Sequence, residues 1–330
     1  MINENRMMLA AGVAVLALIA GCGNDSTSSN GSSPKETTET SSSATPEIKD
    51  PAVEAAALRT VDPCALLNET TLGDTGTLVP DSLSTLDWGE CGVDVTDASG
   101  KTVEFVLRVG DQIILVDDPT EELEGLPLVV DDEDKESCWI SVVTSYELSL
   151  AITFQVDYVG GDGCAAGKAA LTKVVQAVHN NPPQYQQVPG SVLTVDPCTV
   201  ADKEAIETAL GQKSFMEVKN LHVCDFWSGD GTNYPLVSVS LLKGLPPDAE
   251  DGEPVDLGGG VTAIQAKEVD SSTVSCDVSW REIETPSEDE APGWGELVSV
   301  EISGEPADLD AATACDKAVA VAKTVVPSLG

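Results

Sequence analysis

The sequence predicts an α+β protein of two homologous domains, each an antiparallel sheet flanked by an N-terminal and a C-terminal helix and cross-linked by two disulfides. Three observations support this prediction. A pentapeptide is repeated, eight cysteines fall into two sets of four in the same order, and the middle of each repeat alternates between apolar and polar residues. The length of 330 residues also suits roughly two domains.

The internal duplication begins with Thr-Val-Asp-Pro-Cys, which occupies residues 60–64 and again 194–198. A period of 134 residues indicates a duplicated domain rather than a solenoid of short repeats. Each copy continues with a Leu-Gly pair, a Cys with a Trp close by, a Cys on a strand and a Cys that begins a helix. The predicted organisation is a signal peptide at 1–21, a tether at 22–51, domains at 52–180 and 191–330, and a linker at 181–190.

The elements of each copy follow from local signals. A helix is expected to begin at Asp62-Pro63, because Asp caps free amides and Pro suits the first helical turn. Strict alternation over residues 148–158 predicts a strand with one apolar and one polar face, and shorter alternating segments occur in both copies. Apolar residues at helical spacing after Cys164 and around Cys315 predict closing helices on one side of the sheet.

The N-terminus has the form of an export signal. Arg6 supplies a positive charge, and the apolar run of 13 residues from Met7 to Ile19 is too short to span a bilayer comfortably. It ends in Ile-Ala-Gly-Cys22, which resembles the bacterial lipobox, where the Cys receives diacylglycerol. Cys22 is therefore the predicted lipidation site and membrane anchor on the extracytoplasmic face. The alternatives are an ordinary secretory signal and an uncleaved membrane helix.

The eight remaining cysteines are expected to form disulfides, because exported domains fold where thiols oxidise. They are Cys64, Cys91, Cys138, Cys164, Cys198, Cys224, Cys276 and Cys315. Three pairings are open in each domain, and we favour Cys64–Cys91, Cys138–Cys164, Cys198–Cys224 and Cys276–Cys315. Each closes a loop of roughly 27 to 40 residues and stabilises by about 3–4 kcal/mol. Zinc sites are the alternative, but they typically use paired C-x2–4-C ligands, which this sequence lacks.

Composition excludes one class of partner. The formal net charge is −39, from 56 acidic and 17 basic residues, so phosphate backbones are repelled and nucleic-acid binding is not expected. Such a charge keeps a protein soluble, and the alternative interpretation is attraction to a cationic partner. The Ser/Thr-rich stretch at residues 24–46 has almost no apolar residues, which predicts a disordered tether.

The Asp-Pro-Cys start, the Cys near a Trp, the strand Cys and the Cys-led helix resemble a family of actinobacterial surface lipoproteins whose domain has no known function. The pattern is also similar to the extracellular sensor domain of mycobacterial receptor serine/threonine kinases. That resemblance covers roughly residues 52–180 and 190–330 and implies an α+β sheet, two disulfides and a ligand-binding cleft. It implies a binding role but no functional residue beyond the cysteines. This chain departs from the usual family member because it holds two copies and lacks a kinase domain, so any signal would pass through a partner.

No catalytic, cofactor-binding or metal-binding residue is predicted, because the sequence lacks G-x-S-x-G, H-E-x-x-H and P-loop motifs. His179 is expected to end a helix, and nothing marks His222 as catalytic. Gly258–260 predict a turn or bulge, and Asp162 predicts a helix cap. The acidic clusters at 131–134, 248–253 and 288–290 lack the spacing of a calcium-binding loop, so solvated loops are preferred to calcium sites.

The sequence therefore favours a non-catalytic, sensor-like binding module of the cell envelope, whose partner is an envelope ligand or a membrane protein. Duplicated domains, a tether and the missing catalytic motifs suit this hypothesis. The alternatives are an envelope hydrolase with an unfamiliar site, which predicts similar polar residues in a concavity of both copies, and a structural spacer, which predicts no pocket.

Overall fold

The computed structural model describes residues 47–329, apart from 115–118, 132–133, 230, 232 and 286–292. The predicted signal peptide at 1–21, the lipidation site Cys22 and most of the predicted tether lie outside the described residues. The described residues belong to one compact unit, in which strands account for 42% and helices for 23%.

Fifteen antiparallel strands make up more of the described chain than its helices do. The first half contains β1 (Thr77–Leu78), β2 (Ser84–Asp87), β3 (Glu90–Thr96), β4 (Thr102–Gln112), β5 (Glu121–Leu123), β6 (Leu126–Asp131), β7 (Ser137–Ser145) and β8 (Leu150–Asp157). The second half contains β9 (Ser214–Asn220), β10 (Val223–Ser228), β11 (Asn233–Gly244), β12 (Glu253–Gly258), β13 (Val261–Val269), β14 (Val274–Glu284) and β15 (Gly295–Gly304).

Seven helices are described, and two of them are long. The long ones are α4 (Gly163–His179) and α7 (Ala311–Leu329). The others are α1 (Ala55–Leu58), α2 (Pro63–Leu66), α3 (Glu69–Leu72), α5 (Pro197–Val200) and α6 (Lys203–Leu210). None of these described helices is long and apolar enough to cross a bilayer.

All strands belong to one sheet, in which the two halves repeat the same strand order. The order is β3-β4-β8-β7-β6-β5 in the first half and β10-β11-β15-β14-β13-β12 in the second. The halves meet where Asp111 of β4 pairs with Asn220 of β9. Strand β4 reaches this point because it continues past Val109 through a bulge, which carries its last residues to the edge of the second half.

The sheet has one covered face and one face that we call the open face. Helix α4 packs on β7 and β8, and α7 packs on β12 to β15. On β8, alternate residues from Leu150 to Val156 are buried beneath α4, while Thr153 and Gln155 point the other way. No helix of the described chain covers the open face.

Each half has its own core cluster, and the two clusters exchange one side chain. Trp88 precedes Cys91 by three residues, and Leu221 precedes Cys224 by three, so the two residues occupy equivalent positions. Trp88 of the first half is buried in the second core, and Leu221 of the second half is buried in the first. Gly110 permits this approach, because a Cβ there would collide with the Leu221 side chain. The exchange locks the halves together by burying apolar surface in both directions.

The predicted fold class is wrong. The chain is not a pair of α+β domains, each flanked by an N-terminal and a C-terminal helix. Its described part is richer in strand than in helix, and the strands join in one 15-stranded antiparallel sheet. The Asp-Pro signals begin only single helical turns. Asp62 caps α2, but the turn ends at Leu66, and Asn68 caps a separate turn. Such caps satisfy the first free amides but do not determine how far a helix continues.

Candidate functional site

A cavity of about 570 Å³ lies on the open face of the first half. Its floor is formed by Trp139 and Ser141 of β7 with Thr153 of β8. Its walls are β6 from Leu128 to Asp131, the end of β4 with Ile113 and Ile114, and the pair Pro119 and Thr120. A cavity of this size, mostly apolar with a few polar groups, is typical of a small-molecule site.

Trp139 is the residue that distinguishes this floor. Strand alternation buries Cys138 and Ile140 beneath α4 and turns Trp139 to the open face, where 41% of its surface is exposed. Its direct cross-strand neighbours are Gln155 on β8 and Asp131 on β6. The exposed indole matters here because it also lines the cavity, where its apolar surface is open to a small molecule.

Arg108 holds this indole in place. Its guanidinium carbon lies 4.9 Å from the centre of the Trp139 ring, within the range of a cation–π interaction. Its nitrogens reach Glu90 at 2.8 Å and Gln155 at 3.3 Å, and Asp111 lies at 3.9 Å. Because these partners already use its charge, Arg108 fixes the ring rather than offering a free cation to a ligand.

The hydrogen bonding and the protonation of the polar groups in the cavity depend on their neighbours. The hydroxyls of Ser141 and Thr153 are buried and lie 2.8 Å apart in a mutual hydrogen bond. Burial raises the pKa of Asp111, and the charge of Arg108 opposes part of that rise. The cavity therefore combines paired hydroxyls with carboxylates and has no unpaired cation among its described lining residues.

The same positions in the second half carry different side chains. Strand register around the equivalent cysteines matches Trp139 with Asp277, Gln155 with Glu301, and Arg108 with Ser240. The open face of the second half instead carries an acidic row, in which cross-strand neighbours follow the order Glu217, Asp225, Ser238, Glu301 and Asp277. Burial and the neighbouring carboxylates raise the pKa of Glu301.

His222 lies at the junction between the halves. Its ring is 3% exposed, packs 5.0 Å from the ring of Trp88, and makes no hydrogen bond of normal geometry through either nitrogen. Burial and, to a smaller extent, the charge of Arg59 lower its pKa to about 3, although the backbone of Arg59 opposes part of this shift. Arg59 is itself buried and donates from Nε to the Leu221 carbonyl at 3.0 Å. His222 is therefore neutral and structural in this position.

All eight predicted disulfide cysteines are paired in the structure. The four bonds are Cys64–Cys91, Cys138–Cys164, Cys198–Cys224 and Cys276–Cys315, which are the pairs favoured from the sequence. Each joins a helix to a strand on the covered face, so these cysteines lie away from the cavity. Their role is to fix the scaffold on which the open face is built.

The other residues singled out from the sequence lie outside the cavity, with one exception. His179 contacts Asp50 at 2.7 Å at the end of α4, and Asp162 caps the same helix by accepting from Ala165 N at 2.9 Å. Gly258–260 form the turn between β12 and β13, with positive φ at all three residues. Asp131, the first residue of one acidic cluster, lines the cavity. Residues 288–290 are outside the described chain, and the described residues contain no cluster suited to a metal ion.

Sequence reasoning missed Trp139 and Arg108. The signal was available, because Trp139 lies between Cys138 and Ile140 in an alternating segment and so occupies the polar face. An aromatic residue on that face marks an exposed ring. The contact of Arg108 with it depends on the strand order, which alternation does not reveal.

Comparison with known proteins gives one match. Neither the curated proteins nor the solved structures include a match to this chain. Residues 17–177 match the model of a family described as "Protein of unknown function (DUF3558)". This match covers the first half of the described chain, including the strands and the cavity just described.

Proposed function

We propose that this protein is a non-catalytic binding protein of the cell envelope, anchored through lipid on Cys22, which takes its ligand in the cavity above Trp139. The observation that carries the proposal is the exposed indole at the floor of a cavity of about 570 Å³. A ring held out of the core in this way has apolar surface available for a ligand.

Preorganisation supports binding. Arg108, Glu90 and Gln155 fix the position of the ring before any ligand arrives, so little side-chain entropy is lost on association. The strands that carry the floor, β7 and β8, are tied to α4 by Cys138–Cys164 and by close packing. A rigid floor of this kind suits recognition of a ligand with a defined shape.

The arrangement of polar groups favours binding over catalysis. The two floor hydroxyls bond to each other, and the described lining contains neither His nor Cys to activate a nucleophile. The side chains of the cavity also differ from those at the same positions of the second half, whereas the hydrolase hypothesis expects similar polar groups in both. A structural spacer, the other alternative, does not need a cavity.

The proposed location rests on the sequence of the N-terminus. The lipobox-like Ile-Ala-Gly-Cys22 and the short apolar run before it support an anchor on the extracytoplasmic face. Four disulfides in the described chain suit an oxidising compartment. Cys22→Ser should release the protein from the membrane fraction, and the intact mass of the wild type should show the acyl chains. Membrane retention of that variant would contradict the anchor.

The binding proposal is tested with Trp139→Ala. Because Trp139 is exposed, its removal leaves the core intact, and the variant should keep the melting temperature of the wild type. A ligand found by thermal-shift screening against envelope lipids, glycans and metabolites should stabilise the wild type by about 2.7 kcal/mol at a hundredfold excess over its Kd, but not Trp139→Ala. Val269→Ala, an exposed residue of β13, is the matched control and should behave like the wild type. Equal stabilisation of wild type and Trp139→Ala would contradict the proposal.

A further inference from the structure

The second half carries its own group of aromatic rings on the open face, of which two are exposed and Trp227 is half-buried. This second platform consists of Phe215, Trp227 and Tyr234. Phe215 and Trp227 are direct cross-strand partners on β9 and β10, and the rings of Trp227 and Tyr234 lie 5.9 Å apart. Phe215 is 50% and Tyr234 42% exposed, in a chain with only 4% aromatic residues. Scarce aromatic side chains left in water at neighbouring positions indicate a contact surface.

The second platform and the Trp139 cavity belong to one continuous surface. Gln112, which lines the cavity, donates its amide to the carboxylate of Glu217. The same carboxylate accepts from the Trp227 indole N–H at 2.7 Å. Lys219 forms an ion pair with the same Glu217 carboxylate at 3.9 Å, so this carboxylate joins groups from both sides of the junction. One elongated molecule is therefore able to contact both platforms.

The hydrogen-bonding groups along this surface define the chemistry of that molecule. The main donors are already paired within the protein: Arg108 with Glu90 and Gln155, Lys219 with Glu217, and the Trp227 indole with Glu217. What remain are mostly acceptors, the carboxylates of Asp131 and Asp111 at the cavity. A matching ligand is rich in donors and has apolar faces for the rings, and it is not anionic, because the carboxylates repel negative charge.

We infer that the open face binds a linear, uncharged oligosaccharide that runs across the junction and stacks one sugar on Trp139 and another on the second platform. This inference rests on the proposed function and specifies its ligand class. Sugar hydroxyls supply the donors that the carboxylates need, and the C–H face of a pyranose covers an aromatic ring. Contact with both halves makes the second contact intramolecular, so affinity rises with chain length until both platforms are occupied.

The test uses the purified full chain and neutral linear oligosaccharides displayed on an array. The best hexasaccharide and its disaccharide are then compared by calorimetry. Trp139→Ala and Tyr234→Ala should each lower the affinity for the hexasaccharide at least tenfold, since each removes one stacking contact. Only one of the two substitutions should lower the affinity for the disaccharide, because the disaccharide reaches a single platform. Both residues are exposed, so the variants should fold, and Val269→Ala should bind like the wild type.

Three results would overturn the inference. The first is failure of every neutral oligosaccharide to bind, and the second is hexasaccharide affinity that is unchanged by Tyr234→Ala. The third is binding of hexalysine instead of glycans, with that binding lost in 0.5 M salt, roughly the regime in which screening removes electrostatic attraction at a surface. A ligand other than a glycan whose binding depends on Trp139 would leave the proposed function intact and reject only the oligosaccharide. If no bound ligand depends on Trp139, both fail.

Discussion

The two halves share a scaffold but not an open face. Their strands follow the same order, and their disulfides join equivalent elements. Yet the position of Trp139 in the first half is occupied by Asp277 in the second, and the position of Arg108 is occupied by Ser240. The covered face is constrained by burial and by sulfur bonds, whereas outward side chains are free to change without loss of the core. The duplication therefore kept the fold and varied the surface.

The junction shows a second difference between the halves. Trp88 and Leu221 occupy equivalent positions, and each is buried in the core of the opposite half. The next pair of equivalent residues is Gly89 and His222, and His222 is buried. Both positions keep the same backbone bond, since Val109 N donates to Gly89 O at 2.8 Å and Leu241 N donates to His222 O at 2.9 Å. The junction thus keeps this backbone bond in both halves, while its side chains differ.

The largest effect is expected from the exchanged side chains. Trp88→Ala should cost about 3–5 kcal/mol and Leu221→Ala about 2–5 kcal/mol of unfolding free energy, because each leaves a cavity in the opposite core. Urea unfolding followed by circular dichroism measures both, with Val269→Ala as an exposed control within about 0.5 kcal/mol of the wild type. Each variant should unfold in one transition. Two transitions, only one of them shifted, would show that the halves are independent and break the comparison.

The disulfides sharpen the comparison of the two scaffolds. Replacing Cys138 and Cys164 with Ala opens a loop with a sequence separation of 26, and replacing Cys276 and Cys315 opens one of 39. In the chain-entropy model the losses are about 3.5 and about 3.9 kcal/mol. Denaturant titration of the two double variants should give nearly equal destabilisation, slightly larger in the second half. A much smaller loss in one half would mean that its sheet is held by other contacts.

His222 should make stability depend on pH at the junction. Its pKa is about 3 in the folded protein and about 6.5 when unfolded. Between these values the unfolded chain binds a proton that the folded chain does not, so stability falls as pH falls from 6.5, by up to about 1.4 kcal/mol per unit. His222→Phe keeps a ring against Trp88 and should remove this loss.

The measurement is the difference in unfolding free energy between wild type and His222→Phe at several pH values. Carboxylates whose pKa is raised by burial, such as Asp87, Asp111 and Asp225, have the opposite sign, because acidification favours their folded form. These contributions are present in both proteins and largely cancel. Identical pH profiles would contradict a buried neutral His222.

The smallest effect concerns the matched helix caps. Asp62 accepts from Cys64 N at 2.9 Å and from Ala65 N at 3.3 Å, whereas Asp196 accepts from Cys198 N at 3.0 Å. Asp62→Ala and Asp196→Ala should each cost about 1 kcal/mol. Asp196→Ala also removes the ion pair with Arg59 at 3.7 Å, which leaves a buried guanidinium with one partner fewer. Thermal unfolding should therefore show a slightly larger loss for Asp196→Ala.

Local signals in the sequence predicted elements better than their assembly. Alternation over 148–158 corresponds to β8, and Cys order was enough to favour the observed disulfides. The single sheet was not predictable, because it depends on the bulge after Val109 that carries β4 to Asn220. Alternation specifies which face a residue occupies but not which strand lies beside it.

The Trp residues near the equivalent cysteines illustrate the same limit. The sequence suggests that Trp88 and Trp227 correspond, since each lies close to one of these cysteines. In the structure the counterpart of Trp88 is Leu221, and Trp227 belongs to the open face. Proximity along the chain did not distinguish a ring directed into the opposite core from one on the surface, because direction depends on strand register.

The exchange of Trp88 and Leu221 also has an evolutionary consequence. A gene that lost either copy would encode a single half with a cavity in its core and an apolar side chain exposed to water. Remnants of this kind aggregate or are degraded. Once the swap had arisen, neither copy could be deleted without harm, so selection would preserve the tandem as an inseparable pair.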